Sequence, residues 1–206
     1  MKTQKERMLA GELYIADDPE LGREMRRGKR LARAYSQTTE GEGAYRSDLL
    51  KQLFNKIGQN GYLEPPFHTD YGSNTTIGDN FYANYDAIFI DVAPITIGNN
   101  VFMGPRVGLY TAGHPTDAEI RAAQLEYGLP ITIGDNVWFG GNVVVNPGVT
   151  IGSNVVIGSG SIVTKDIPDG VVAVGNPCHV LREITTQDRD YWEKQKAAYY
   201  VDCEGN

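Results

Sequence analysis

Cysteine is scarce: Cys178 and Cys203 are the only two in 206 residues, too few for a disulfide framework. A reducing cytoplasm is the expected compartment. No apolar run approaches the roughly 18 residues needed to cross a bilayer, and the opening MKTQKERMLAGELYI lacks the apolar core of a signal peptide. A membrane partner is therefore not expected. Basic residues are almost missing from the middle of the chain. Residues 57–164 hold only Arg106 and Arg121 against nine acids, within a net charge of −7. A duplex-binding protein needs a stripe of cations to displace counterions, so nucleic acid is not an expected partner either. Disorder and collagen-like repetition are excluded as well, since 24 glycines and 10 prolines are too few and 41% of residues are apolar.

What is present falls into three stretches. Residues 1–35 hold nine Lys/Arg against six Asp/Glu, including Arg23, Arg26, Arg27, Lys29, Arg30 and Arg33. At helical spacing such a cluster reads as a solvated helix face. Helical periodicity continues through Leu49-Leu50, Leu53-Phe54 and Ile57 to a stop at Gly58, which gives a helical cap over residues 1–58.

Residues 59–180 carry a six-residue period. Positions 131, 137, 143, 149, 155 and 161 are Ile, Val, Val, Val, Val and Ser, and positions 133, 139, 145, 151, 157 and 163 are Ile, Phe, Val, Ile, Ile and Val. Asn or Gly recurs at 136, 142, 148, 154 and 160. Two apolar residues two apart point to one face of a short strand. Restarting that alternation every six residues calls for sharp corners, and Asn and Gly tolerate the left-handed backbone that corners use. Three units close a triangular coil of 18 residues, and stacked coils bury their aliphatic columns against one another. The expected fold is all-β, a parallel β-helix.

The same phase holds at Ile95, Val101 and Val107, and further upstream at Ile77, Ala83 and Phe89, with two extra residues around Asp91–Pro94 shifting the register. The columns fail between Leu109 and Ile131, so residues 111–130 read as an excursion loop. Residues 181–206, with Tyr191, Trp192, Tyr199 and Tyr200, read as a tail that packs on a neighbour.

Together with the hexapeptide columns, the segments YIADDPEL (14–21), YGSN (71–74), NFYANYD (80–86), TAGHP (111–115), ITIGDNVWFGGNVVVNPGVTIG (131–152) and IVTKDIP (162–168) resemble the galactoside, maltose and nodulation acetyltransferases. The resemblance runs over nearly the whole chain. It implies a left-handed β-helix, a homotrimer with active sites between subunits, and acetyl-CoA as co-substrate with no metal.

His114 is the expected general base. An imidazole titrates near neutrality and can take the proton of an attacking hydroxyl, and GHP stands where the family's catalytic histidine stands. No serine lies in a nucleophile elbow, so direct attack in a ternary complex is the simpler expectation. The family's transition-state asparagine corresponds to Asn84, which occupies a column that is otherwise Gly. By resemblance, Asp17, Asp70, Tyr82, Asn84 and Asp91 are candidates for sugar hydroxyls, although the galactoside enzymes tend to carry Ser at the position of Asp70. For Asp17 the competing role is a helix N-cap, and for Asn84 it is a corner asparagine. Trp138 falls between the inward columns and faces outward, to stack on a ligand or pack at an interface. The resemblance lines the coenzyme groove with Gly141, Ser159, Thr164 and Lys165. Arg182 is a further phosphate partner, and His179 stands where the family often has Arg.

The expected activity is thus acetyl transfer to a sugar hydroxyl. The alternatives are a non-sugar acceptor such as serine or an antibiotic, a zinc-dependent β-helix hydratase, and a non-catalytic scaffold. The hydratase needs three converging histidines, whereas His68, His114 and His179 lie 46 and 65 residues apart. A scaffold favours uniform outward columns, whereas positions 138, 144, 150, 156 and 162 read Trp, Val, Thr, Val and Ile.

Overall fold

A computed structural model of the chain describes residues 1–204, with side chains described as far as Val201; the side chain of Cys203 lies outside the described residues. Its body is a three-faced prism of parallel strands. The first face stacks β2 (Lys56–Ile57), β5 (Thr75–Ile77), β8 (Ile95–Ile97), β13 (Ile131–Ile133) and β16 (Thr150–Ile151). The second stacks β3 (Tyr62–Leu63), β6 (Tyr82–Ala83), β9 (Phe102–Met103), β14 (Trp138–Phe139), β17 (Val156–Ile157) and β19 (Val171–Gly175), closed by the antiparallel β20 (Cys178–Glu183). The third stacks β4 (Phe67–Thr69), β7 (Ala87–Ile90), β10 (Gly108–Tyr110), β15 (Val144–Val145) and β18 (Ile162–Val163). The solenoid is a left-handed β-helix.

Register explains the two coil sizes. In the later coils Thr132 pairs with Thr150, Trp138 with Val156 and Val144 with Ile162, eighteen residues on. In the earlier coils Tyr62 pairs with Tyr82 and Thr75 with Ile95, twenty residues on. The extra residues lie between the third and first faces, where Tyr71–Asn74 sit below Asp91–Pro94. Five of the corner positions, Asn136, Asn142, Gly148, Asn154 and Gly160, have φ between +57° and +82°. Along the edge between the first and second faces, side-chain amides stack as a ladder: Asn60 donates to Asn80, Asn80 to Asn100, Asn100 to Asn136 and Asn136 to Asn154, at 2.9–3.1 Å.

Inside, both aliphatic columns are buried, from Ile95 and Ile97 through Val155 and Ile157. The N-terminal cap comprises α1 (Gln4–Leu9), β1 (Tyr14–Ile15), α2 (Pro19–Ser36) and α3 (Gly43–Leu53). α3 ends at Leu53, short of the stop expected at Gly58. Ile57 belongs to the first strand of the solenoid, because its side chain continues the column of Ile77. α2 closes the open end of the first coil, where Tyr35 is fully buried and its hydroxyl donates to Leu63 O. The basic residues of α2 are exposed, the solvated face expected of them, with Lys29 paired to Asp70 at 3.1 Å.

The segment expected as a loop has structure of its own: β11 (Ala112–Gly113), α4 (Ala118–Ala122) and β12 (Leu125–Gly128). β12 pairs antiparallel with both β11 and β1, which makes a three-stranded sheet. The tail is α5 (Thr186–Glu204), whose described residues are exposed apart from the half-buried Asp188, with Trp192 65% and Tyr199 63% exposed.

Candidate active site

His114 immediately follows β11, at the base of the excursion. Gly113 before it lies under the outer end of the Tyr127 ring, which an added Cβ would approach to 2.6 Å and have to displace. The imidazole is exposed and makes no hydrogen bond among the described residues. Asp17 lies two residues beyond β1, an outer strand of the same three-stranded sheet. Asp17 is not the helix cap. That role falls to Asp18, whose Oδ1 accepts from the backbone N–H groups of Glu20 and Leu21 at 2.9 and 3.1 Å. Asp17 is left exposed.

Asn84 closes β6, and its backbone stays out of the left-handed region occupied by Asn100 and Asn136. It is therefore not a corner asparagine of that kind. Its Oδ1 accepts from the Tyr85 backbone N–H at 2.8 Å, which fixes the amide and leaves Nδ2 as a donor. Tyr82, half-buried, stacks on Tyr62 with ring centroids 6.3 Å apart and planes 9° apart. Trp138 is outward and 55% exposed, in register between Phe102 and Val156 on the second face.

Two candidates have partners that change their reading. Asp91 is fully buried. Its Oδ1 accepts from Thr69 Oγ1 at 2.9 Å and from the Tyr71 N–H at 2.8 Å, and its Oδ2 accepts from Thr75 Oγ1 at 3.1 Å. Burial pushes its carboxyl up, against the hydrogen bonds that favour the charged form. It clamps the two register insertions together and presents nothing to a ligand. Arg182 is held by Asp188 through two hydrogen bonds of 2.8 Å, and its guanidinium holds the Asp188 carboxyl well below the usual range. The pair lies at the surface and ties Arg182 to the start of α5. Lys165, by contrast, is exposed with no ion pair among the described residues, and Ser159 and Thr164 are exposed as well. Gly140 has no space for a Cβ, which would fall 2.4 Å from Ser159 Oγ. The exposed His179 has its Nδ1 3.3 Å from Pro177 O on the terminal hairpin.

The candidates sort onto two edges of the prism. Asn84, Gly141 and Ser159 lie where the second face turns into the third, and Asp70, His114, Thr164 and Lys165 lie where the third turns into the first. Beside Asp70, a cavity of about 430 Å³ opens between α2 and β4, lined by Lys29, Arg33 and His68 among others. One chain does not bring the two edges together.

Residues 7–58 match the maltose acetyltransferase hexapeptide capping motif, and residues 130–165 match the bacterial transferase hexapeptide model of six repeats. The galactoside O-acetyltransferase of Escherichia coli K12 is 48% identical over 92% of this chain and 93% of its own length. The crystal structure of a maltose O-acetyltransferase from Clostridium difficile 630 superposes with a TM-score of 0.88 at 52% identity, covering 89% of this chain and 98% of that one. The chain belongs to the galactoside and maltose O-acetyltransferase family. A galactoside acetyltransferase in complex with coenzyme A superposes with a TM-score of 0.89 at 46% identity, over 92% of this chain and 94% of that one. Two signals went unread in the sequence. Glu126, in the excursion, accepts a hydrogen bond from Tyr14. Arg46, only 4% exposed, donates to Thr38 and Tyr62 beneath the cap. Neither sits in a column whose phase would say which way it points.

Proposed function

We propose that this family member transfers the acetyl group of acetyl-CoA to a hydroxyl of a sugar of the maltose or galactoside type, by direct attack, with His114 as general base. Acetyl-CoA, drawn from the cytoplasm, supplies a thioester carbonyl. The neutral His114 imidazole takes the acceptor's proton, and the Asn84 Nδ2 donates toward the carbonyl oxygen as it gains charge. Asp17 and Asp70 accept from sugar hydroxyls. Lys165, with Thr164 and the backbone at Gly141 and Ser159, holds the coenzyme.

The observation that carries this reading is the exposed imidazole just beyond β11, with the exposed Asp17, which caps no helix, just beyond β1 of the same small sheet. The separation of Asn84 and His114 onto different edges supports a homotrimer in which each site is completed by two copies. The outward residues agree with that assembly. The first face shows a rank of Thr76, Thr96, Thr132 and Thr150, whereas the second shows Phe102, Trp138 and Val156 and the third Ile88, Val144 and Ile162. Two apolar faces and one polar face suit burial of two faces around a threefold axis.

Replacing His114 by Ala tests the base directly. Acetyl transfer to a panel of glucosides, galactosides and disaccharides is expected to fall by about 10²–10⁴ with fold retained. Rates near wild type in that variant overturn the assignment. The same panel, with serine added, identifies the acceptor class.

A further inference from the structure

Between α2 and β4 stand two donor side chains that no acceptor meets. Lys29, Ala32, Arg33 and Ser36 lie at helical spacing on one stripe of α2. That stripe and β4 wall the cavity of about 430 Å³ beside Asp70, a size within the usual span of ligand pockets, about 300–1,000 Å³. The two elements are tied at both ends. At one end Lys29 Nζ lies 3.1 Å from Asp70 Oδ1. At the other, Ser36 Oγ accepts from the Phe67 N–H at 3.3 Å. From Lys29 to Ser36 the helix rises about 10.5 Å, and from Asp70 back to Phe67 the strand covers about 10 Å. Helix and strand therefore run level and antiparallel between the ties, and Arg33 and His68 stand opposite one another in the middle.

The charge of the lining does not cancel. Lys29 and Asp70 neutralise each other, and the Thr69 hydroxyl is committed to Asp91 at 2.9 Å. The Arg33 guanidinium is exposed and makes no ion pair or hydrogen bond among the described residues, and the exposed His68 ring makes no hydrogen bond among them either. The carboxylates on neighbouring segments are engaged elsewhere. Asp86, just before β7, lies 3.7 Å from Arg106, and Glu64 lies 3.5 Å from the Tyr62 hydroxyl. The rest of the wall is apolar, with Phe67 buried and Ile90 half-buried. The cavity also adjoins the expected acceptor residues. Asp70 lines it, and the carbonyl of Ile90 accepts from the N–H and the hydroxyl of Thr111 at 3.0 and 2.8 Å, three residues before His114.

We propose that this cavity is an anion subsite for the acceptor: Arg33 and His68 hold a phosphate or carboxylate carried by the sugar, while the hydroxyl to be acetylated faces His114. A planar guanidinium meets two oxygens of either group in parallel, and an imidazole N–H adds a third donor. The apolar wall lies against the C–H face of the ring. The acceptor class thus narrows from sugars at large to acidic sugars, and this rests on the sugar acetyl transfer proposed above.

The test has a kinetic arm and a binding arm. Wild type, R33Q and H68N are compared on glucose and galactose, their 1- and 6-phosphates and their uronates. Wild type is expected to favour an acidic sugar over its neutral parent by about tenfold or more in kcat/KM, and the favoured one tells phosphate from carboxylate. R33Q is expected to raise KM for that sugar about tenfold and H68N by less, with KM for the neutral parent and for acetyl-CoA within about twofold. In the binding arm, calorimetric titration of H114A and of H114A/R33Q with the same sugars reads affinity without turnover. The second is expected to bind the acidic sugar about tenfold more weakly. No preference for an acidic sugar in either arm, or equal affinities with and without Arg33, overturns the proposal. A rise in KM confined to acetyl-CoA overturns it too, since the two side chains would then serve the coenzyme. If wild type acetylates none of these sugars while the binding arm shows an Arg33-dependent preference, the transfer reading fails and the anion subsite stands.

Discussion

At Asp91 three donors converge on one carboxylate that has no contact with solvent. Removing it leaves the hydroxyls of Thr69 and Thr75 and the Tyr71 N–H unpaired, each costing about 1–3 kcal/mol. Asp91→Ala is expected to lower stability in urea denaturation by about 3 kcal/mol or more, with acceptor KM unchanged wherever the variant is folded. A raised KM at full stability would return Asp91 to the acceptor site. The pH dependence has a definite sign. Burial raises the folded carboxyl's pKa above its unfolded value, so its contribution is largest at low pH and declines as pH rises through the folded value. Asp91→Asn removes that decline, visible as a flatter plot of stability against pH above the ordinary carboxylate range. The sequence marks Asp91 as a carboxylate at a register shift, which is equally the signature of a ligand and of a clamp. Only the depth of the side chain separates them, and depth at an insertion is not encoded in the six-residue period. Glu126 has the opposite difficulty, because it lies where the period stops and no phase assigns its face.

At the level of elements, the repeat was readable because every inward position carries the same burial demand. Val137, Val143 and Val149 all lie in one buried column, and the Asn and Gly corners at 136, 142, 148, 154 and 160 all take the left-handed backbone. The end of the helical cap was not readable, since Ile57 satisfies a helical spacing and a strand column equally. The docking of α2 depends on Gly28, where an added Cβ would fall 2.4 Å from Tyr71 O and 2.7 Å from Asp70 O. Gly28→Ala is therefore expected to push α2 away from the segment bearing Asp70. The cost in thermal or chemical denaturation is about 1–3 kcal/mol, with a raised acceptor KM. Unchanged stability and KM contradict the packing argument. Asn100→Ala removes two rungs of the amide ladder and keeps a left-handed corner without a residue suited to it. Its expected cost is about 1–2 kcal/mol in the same assay, and Asn100→Gly recovers part of it.

For the whole molecule, the decisive feature is that Asn84 and His114 stand on different edges of one prism. The sequence named both residues through the family they resemble, and spacing alone gave no means of putting them together. The account places them in one site only across a boundary between copies. Mixing H114A and N84A chains by denaturation and refolding at equal ratio tests this directly. In the proposed trimer each parent lacks one group at every site, whereas random assembly gives about a quarter of the sites an intact His114 from one chain and an intact Asn84 from its neighbour. The account predicts recovery of about a quarter of wild-type acetyl transfer in the mixture. Activity no higher than the mean of the two inactive parents, in a mixture shown to contain mixed trimers, would contradict it.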